Sequence, residues 1–157
     1  GLVLHSVGND LNLGAIVRSA AFFDAPLIVI NGGDEEARLS TGTYRVAEGG
    51  MEYVTFRRVQ DTAAFLRALS KSVVTIGAEV RARLRLRDLA GIIRSQGEKL
   101  NRGNPGVAVV LGNEETGLPA EVQEACRVLV RVPGTGNLDS LNVAQAAALF
   151  LHELFER

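Results

Sequence analysis

The strongest constraint in this chain lies near its end. There an apolar, largely β-branched run, Val128-Leu129-Val130-Arg131-Val132, stops at Pro133 and gives way to Gly134, Gly136 and Asn137. The run reads as a buried strand, and the residues after it read as a turn, since they tolerate backbone angles that most side chains avoid. Such a turn lets a ligand approach main-chain N–H and C=O groups closely. From Val143 the apolar positions Val143, Ala146, Ala147, Phe150, Leu151 and Leu154 recur at helical spacing, so the turn opens into an amphipathic helix. Asn142, with Gln145 three residues on, is a candidate N-terminal cap. Strand, glycine turn and helix also describe a dinucleotide-binding unit, but that fingerprint needs a third glycine and a later strand ending in an acid. Asp139 stands where the third glycine belongs, and no further strand comes before Arg157. A standard nicotinamide or flavin site is therefore not expected.

A chain of 157 residues fits one domain with its own core, and no linker, repeat or low-complexity run divides it. No apolar run approaches the ~18 residues of a membrane span, so no membrane is expected and the expected setting is cytoplasmic. Cys126 is the single cysteine, which excludes an internal disulfide; it reads as a small apolar residue in a short helix. His5 and His152 are too few for a metal cluster, and no ligand spacing suggests one, so no metal is expected.

Net charge is only −1, which does not announce a nucleic-acid binder. Charge is uneven, however. Arg81, Arg83, Arg85, Arg87, Arg94, Lys99 and Arg102 face only Asp88 and Glu98 in the same stretch. Residues Arg81 to Arg87 alternate with period two and, if extended, put four arginines on one side, either as a solvated surface or as a phosphate-contacting rim.

Read in order, Gly1 to Val7 is a first strand, broken by Gly8-Asn9-Asp10, and Asn12 to Phe23 is a helix with Ile16, Ala20 and Phe23 on its core stripe. Arg18 points away from that stripe. Leu27 to Ile30 is a second strand, closed by Asn31-Gly32-Gly33 and the acids Asp34, Glu35 and Glu36. The segment from Arg38 to Glu52 shows no clear pattern beyond a Gly49-Gly50 turn. Tyr53 to Phe56 reads as a third strand, Asp61 or Thr62 begins a helix through Leu69, and Val73 to Ala78 is a fourth strand. Ile92 to Pro105 reads as a loop with a short helix. Val107 to Leu111 is the clearest strand, and Pro119 suits the first helical position before Ala120 to Arg127. Strands alternating with helices imply a mostly parallel α/β sheet flanked by helices.

Three segments share one pattern: a strand, a loop with Asn, Gly and a charged residue, then a helix. Loops at one edge of a parallel sheet converge, which would gather Asn12, Arg18, Asn113, Glu114, Ser140 and Asn142 around one pocket. A cation, a carboxylate and neutral hydrogen-bonding groups, with no His or Cys nucleophile, suit group transfer from a cosubstrate.

In this order the segments resemble the three motifs of the SpoU/TrmH family in the SPOUT methyltransferase superfamily. Asn12-x-Gly14-Ala15-Ile16-x-Arg18-Ser19-Ala20 is similar to the first, Leu111-Gly112-Asn113-Glu114-x-x-Gly117-Leu118 to the second, and Val132-Pro133-x-x-Gly136-x-x-x-Ser140-Leu141-Asn142-Val143 to the third. Departures are Gly134, where many members carry Met, and Glu115, an added acid beside Glu114. The resemblance implies a deep C-terminal trefoil knot, S-adenosyl-L-methionine as cosubstrate, a homodimer, and methylation of ribose 2′-hydroxyls in tRNA or rRNA. By position, Gly112, Asn113, Val132, Gly136 and Leu141 would hold the cosubstrate. Arg18 would activate the ribose hydroxyl, either as a transient base or by positioning phosphate and hydroxyl. Asn12, Glu114, Ser140 and Asn142 would orient the reacting groups, some across the dimer interface, while Arg18, Arg83 and Arg85 would contact RNA. Residues 1–157 would then be one methyltransferase domain, the C-terminal part of a longer protein with an N-terminal RNA-binding domain, and would bind RNA weakly alone. The alternative is a noncatalytic RNA-binding or assembly protein that keeps the fold; it predicts loss of Arg18, Glu114 or Asn142, and all three are present.

Overall fold

The computed structural model describes residues 1–31 and 39–155; the expected turn at Gly32-Gly33 and the acids Asp34 to Glu36 lie outside them. Among the described residues seven strands form one sheet: β1 (Leu2–Leu4), β2 (Leu27–Asn31), β3 (Thr55–Val59), β4 (Val73–Ala78), β5 (Leu84–Arg85), β6 (Gly106–Leu111) and β7 (Val128–Arg131). Their order is β3-β2-β1-β6-β4-β7-β5, and every pairing is parallel. The helices are α1 (Asp10–Phe22), α2 (Thr41–Ala47), α3 (Thr62–Leu69), α4 (Leu89–Lys99), α5 (Ala120–Ala125) and α6 (Val143–Phe155).

A parallel sheet needs both faces covered, which is why β6 is a continuous apolar run. On one face Leu2, Leu4, Ile76, Val109 and Val130 pack with Ile16 and Ala20 of α1, Ile93 of α4, and Ala147, Phe150 and Leu151 of α6. On the other, Val3, Val29 and Val110 meet Leu66 of α3 and Val122 of α5. The short helix α2 lies on α1, where the Thr43 hydroxyl donates to the Asp10 carbonyl at 3.3 Å. Gly14 leaves no room there for a side chain, since a Cβ would fall 2.7 Å from the Thr43 carbonyl oxygen.

One connection sets this sheet apart. Because β7 lies between β4 and β5, residues 79–83 must cross β7 to link its two neighbours, and residues 132–142 must return the chain from β7 toward α1. Two crossing connections at one end of a sheet depart from the usual topology of parallel folds.

The mostly parallel α/β sheet is the expected architecture, and α6 starts where the spacing places it. Four local expectations are corrected. The third strand begins at Thr55, because Tyr53 closes a 3-10 turn from Gly50. Arg81 to Arg87 is not one extended segment. Only Leu84 and Arg85 are strand, and burial of Leu86 draws the chain into a 3-10 turn over Leu86–Asp88. The short helix expected within Ile92 to Pro105 starts earlier and is the eleven-residue α4, whose polar face hides the stripe of Leu89 and Ile93, while Gly97 is packed against Arg102 and Pro105. Pro119 caps α5 in an extended conformation instead of entering it, and Cys126 ends that helix, also extended.

Phe150 is fully buried between α1 and the sheet. Phe150→Ala is expected to lower unfolding free energy by about 3–5 kcal/mol, read from urea denaturation.

Candidate active site

In a parallel sheet the loops after the strands share one edge, and here three of them are tied together. After β1, Ser6 takes a left-handed backbone (φ 55°). Its N–H donates to Asn31 Oδ1 at 2.9 Å, and its carbonyl accepts from Asn113 Nδ2 at 2.8 Å. Such a backbone costs a residue with a side chain free energy and persists where surrounding bonds over-determine it. Asn9 then caps α1, its Oδ1 accepting from the N–H groups of Leu11 (2.8 Å) and Asn12 (3.2 Å).

After β6 the chain folds back on itself so tightly that a Cβ on Gly112 would stand 2.3 Å from the Gly117 carbonyl carbon. Only glycine fits. Asn113 and Gly117 exchange main-chain hydrogen bonds at 3.2 and 3.0 Å, and Asn113 Oδ1 accepts from the N–H groups of Glu115 and Thr116. This turn aims Glu114 at the start of α1. Its carboxylate accepts from Asn12 Nδ2 at 3.0 Å and from the N–H groups of Gly8 and Asn9 at 3.4 Å each, and the helix N-terminus favours a negative charge there. Asn142 completes the chain of bonds. Its Nδ2 donates to Asn12 Oδ1 at 2.9 Å, while its Oδ1 accepts from Ala144 N–H and starts α6.

The structure thus joins Asn12, Asn113, Glu114 and Asn142, which lie up to 130 positions apart in sequence. Ser140 is exposed and makes no hydrogen bond among the described residues. Arg18 lies elsewhere on α1 and pairs with Glu48 at 2.9 Å, both side chains more than half exposed. Glu48 comes directly after α2 in a left-handed conformation (φ 47°). Its contact with Arg18 carries no signal in the sequence, since it depends on α2 packing against α1. Arg83 is exposed and Arg85 half-buried, at the β5 edge of the sheet and away from the Glu114 cluster.

The residues expected to hold a nucleoside cosubstrate suit one. From Pro133 to Leu141 no main-chain group hydrogen-bonds to another described residue, so these N–H and C=O groups are open to a ligand. Gly136 has φ 92°, and the apolar Leu138 and Leu141 are exposed beside it, as a purine face would require. Val132 packs partly into the core and anchors the start of this segment. Burial pushes the Cys126 thiol up to about 12, and its Sγ donates to the Val122 carbonyl, so it is a packing residue and not a nucleophile. Among the described residues no group of three or more His, Cys, Asp and Glu could hold a metal ion, and no helix is long and apolar enough to cross a membrane.

A parallel α/β domain whose Asn- and Gly-rich loops gather at the carboxyl ends of its strands is a ligand-binding domain open at one sheet edge. The SpoU rRNA Methylase family model matches residues 1–152, and the chain belongs to that family. It is 35% identical, over 97% of its length and 56% of the relative's, to the 23S rRNA (guanosine-2′-O-)-methyltransferase RlmB of Xylella fastidiosa. With the RlmB of Acinetobacter baylyi it shares 32% identity, over 97% of this chain and 57% of that protein. The chain therefore spans a little over half the length of these curated relatives. An AdoMet-bound rRNA methyltransferase from Sinorhizobium meliloti superposes with a TM-score of 0.80 at 26% identity, covering 97% of this chain and 54% of that one.

Asn12→Asp would set a second carboxylate against Glu114 and is expected to destabilise the fold by about 1–3 kcal/mol at pH 7. Sharing a site pushes one carboxyl of the folded variant above its unfolded value. Its stability relative to the parent should therefore be lost as pH rises through that raised value and regained below about pH 4, as denaturant melts across pH would record.

Proposed function

We propose that this chain is the catalytic portion of an S-adenosyl-L-methionine-dependent RNA methyltransferase that modifies a ribose 2′-hydroxyl of tRNA or rRNA. The observation that carries this reading is the hydrogen-bonded line Glu114–Asn12–Asn142, which unites one residue from each of three sequence motifs at one sheet edge. Membership of the SpoU family supports it, and the names of the two RlmB relatives favour rRNA within the substrate class. RNA as partner and a cytoplasmic setting belong to the same reading. The crossing of residues 79–83 over β7, with α6 beyond it, supports a deep trefoil knot.

When bound, the cosubstrate supplies a sulfonium methyl group, already a strong electrophile. The protein's work is then alignment and help with a weakly acidic hydroxyl proton. Gly112, Asn113, Val132, Gly136 and Leu141 hold the cosubstrate, largely through main-chain groups. Glu114, Asn12, Ser140 and Asn142 orient the reacting groups, with Asn12 fixing Glu114 and Asn142 relative to each other. Arg18 positions the ribose hydroxyl and its phosphate as a cation, the phosphate taking the place of Glu48 on the exposed guanidinium. Arg83 and Arg85 add contacts to the RNA backbone.

Arg18 pairs with Glu48 and with no member of the Glu114 cluster of its own protomer, which supports a homodimer in which Arg18 serves the partner's site. The exposed apolar residues Phe22 on α1 (80% exposed) and Leu149 and Phe155 on the adjacent α6 supply a surface for it. Removing the guanidinium with Arg18→Ala should lower methyl transfer at least about 100-fold while cosubstrate affinity, measured by calorimetry, stays unchanged; preserved turnover would refute the assignment. Phe22→Asp should shift sedimentation from dimer to monomer, and an unaltered dimer would place the interface elsewhere.

A further inference from the structure

Along β7, Val128, Val130 and Val132 turn toward the layer of α1, α4 and α6, so Leu129 and Arg131 turn to the opposite face. Arg85 stands in register with Arg131 across the β5–β7 pair, so the two guanidinium groups leave the same face of the sheet side by side. Like charges directly opposite on neighbouring strands repel. Burial makes this worse, because Arg131 Nε is shielded from solvent and has no hydrogen-bond partner. Neither arginine has an ion pair or a side-chain hydrogen bond among the described residues.

Two comparisons isolate this pair. Arg127, four residues earlier, is also half-buried, yet its Nε donates to Gln96 Oε1 at 3.3 Å and its Nη1 to the Ser70 carbonyl at 2.9 Å. It is a structural arginine. Glu79, which continues β4 beside β7, is the nearest acid in the row. Its two oxygens accept from Arg81 N–H and Gln123 Nε2, both at 3.1 Å, so it is held toward α5. Two adjacent cations with no carboxylate paired to either make a ready receptor for an oxyanion, because the planar guanidinium matches phosphate oxygens in a bidentate way.

Their place in the chain indicates which oxyanion. Arg131 immediately precedes Val132 and the open segment to Leu141, while the exposed Arg81 and Arg83 lie in the connection that leads into Arg85. A single small anion needs only the pair; a polyanionic backbone can also use exposed arginines near it in the chain. We infer that Arg131 and Arg85 form a phosphate site that takes a backbone phosphate of the substrate RNA beside the cosubstrate segment. The inference rests on the RNA reading above and adds Arg131, whose apolar surroundings in sequence hide it.

The test is fluorescence anisotropy of a labelled, mixed-sequence single-stranded RNA binding to the full chain across a salt series. In parallel, calorimetry measures the affinity for S-adenosyl-L-homocysteine. Arg131→Gln and Arg85→Gln should each reduce the slope of log affinity against log salt by about 0.7, and the double variant by about twice that. Arg131→Lys should restore most of the slope, and S-adenosyl-L-homocysteine affinity should not change. Arg85 lies on an edge strand, so its variant answers the question even if Arg131→Gln folds poorly. An unchanged RNA slope in Arg85→Gln overturns the site. Weakened S-adenosyl-L-homocysteine binding with an unchanged RNA slope also overturns it, by giving the pair to the cosubstrate's carboxylate. A parent chain whose RNA binding shows no salt dependence overturns the RNA reading as well.

Discussion

The arrangement depends on one constraint: β7 pairs with both β4 and β5, two strands joined by only residues 79–83. Backbone hydrogen bonds on both sides of β7 hold it in place, with Ala78, Val130 and Leu84 level across the three strands. The chain that leaves β7 must therefore emerge at the carboxyl edge, beside the loops after β1 and β6. Had β7 joined the sheet at its outer edge, residues 132–142 would start one strand farther from α1. Its insertion brings a segment from the end of the chain within hydrogen-bonding distance of Asn12.

Once there, the segment is locked by side chains more than by burial. Asn142 is exposed, yet it both starts α6 and holds Asn12, and Asn12 in turn holds Glu114. Each bond alone contributes about 0.5–1.5 kcal/mol. The array is stiff because every member is also fixed by its own element: Asn12 by the cap from Asn9, Glu114 by the Asn113 turn, and Asn142 by α6. The left-handed Ser6 belongs to the same frame, held from Asn31 on one side and Asn113 on the other. A site assembled on helix starts and strand ends in this way keeps its geometry while leaving the main chain from Pro133 to Leu141 open.

Much of the fold could be read from local pattern. The run at Val107 to Leu111 and the stripe of α6 report burial through spacing, and burial is what the sheet's two covered faces impose, while the exposed turn after Pro133 is announced by its glycines. The joining of Asn12, Glu114 and Asn142 was legible only as an expectation about loops at one edge, because no local pattern encodes a bond across 130 positions. The α4 helix was obscured by its polar outer face and two glycines, one of which, Gly97, serves a close approach to Pro105. The period-two run from Arg81 to Arg87 misled for the opposite reason. Its alternation is genuine, but Ala82 and Leu86 are buried by a turn and a 3-10 segment, not by a strand. Glu48 and Arg131 left no trace at all, since each owes its importance to a neighbour brought in by tertiary packing.

The position of Arg18 bears on how many chains the chemistry needs. Six residues separate it from Asn12 on α1, which at 3.6 residues per turn and 1.5 Å per residue is about 9 Å along the helix and, by the shorter way, roughly 120° around it. Asn12 faces Glu114 and Asn142, whereas Arg18 faces Glu48 at the end of α2. A reacting hydroxyl must lie within about 3 Å of each group that acts on it. In this chain the Arg18 guanidinium is held by Glu48 and by no member of the Glu114 cluster. A methyl transfer that uses both groups requires either that Arg18 leave Glu48 and reach across α1 or that a second copy of the chain supply it.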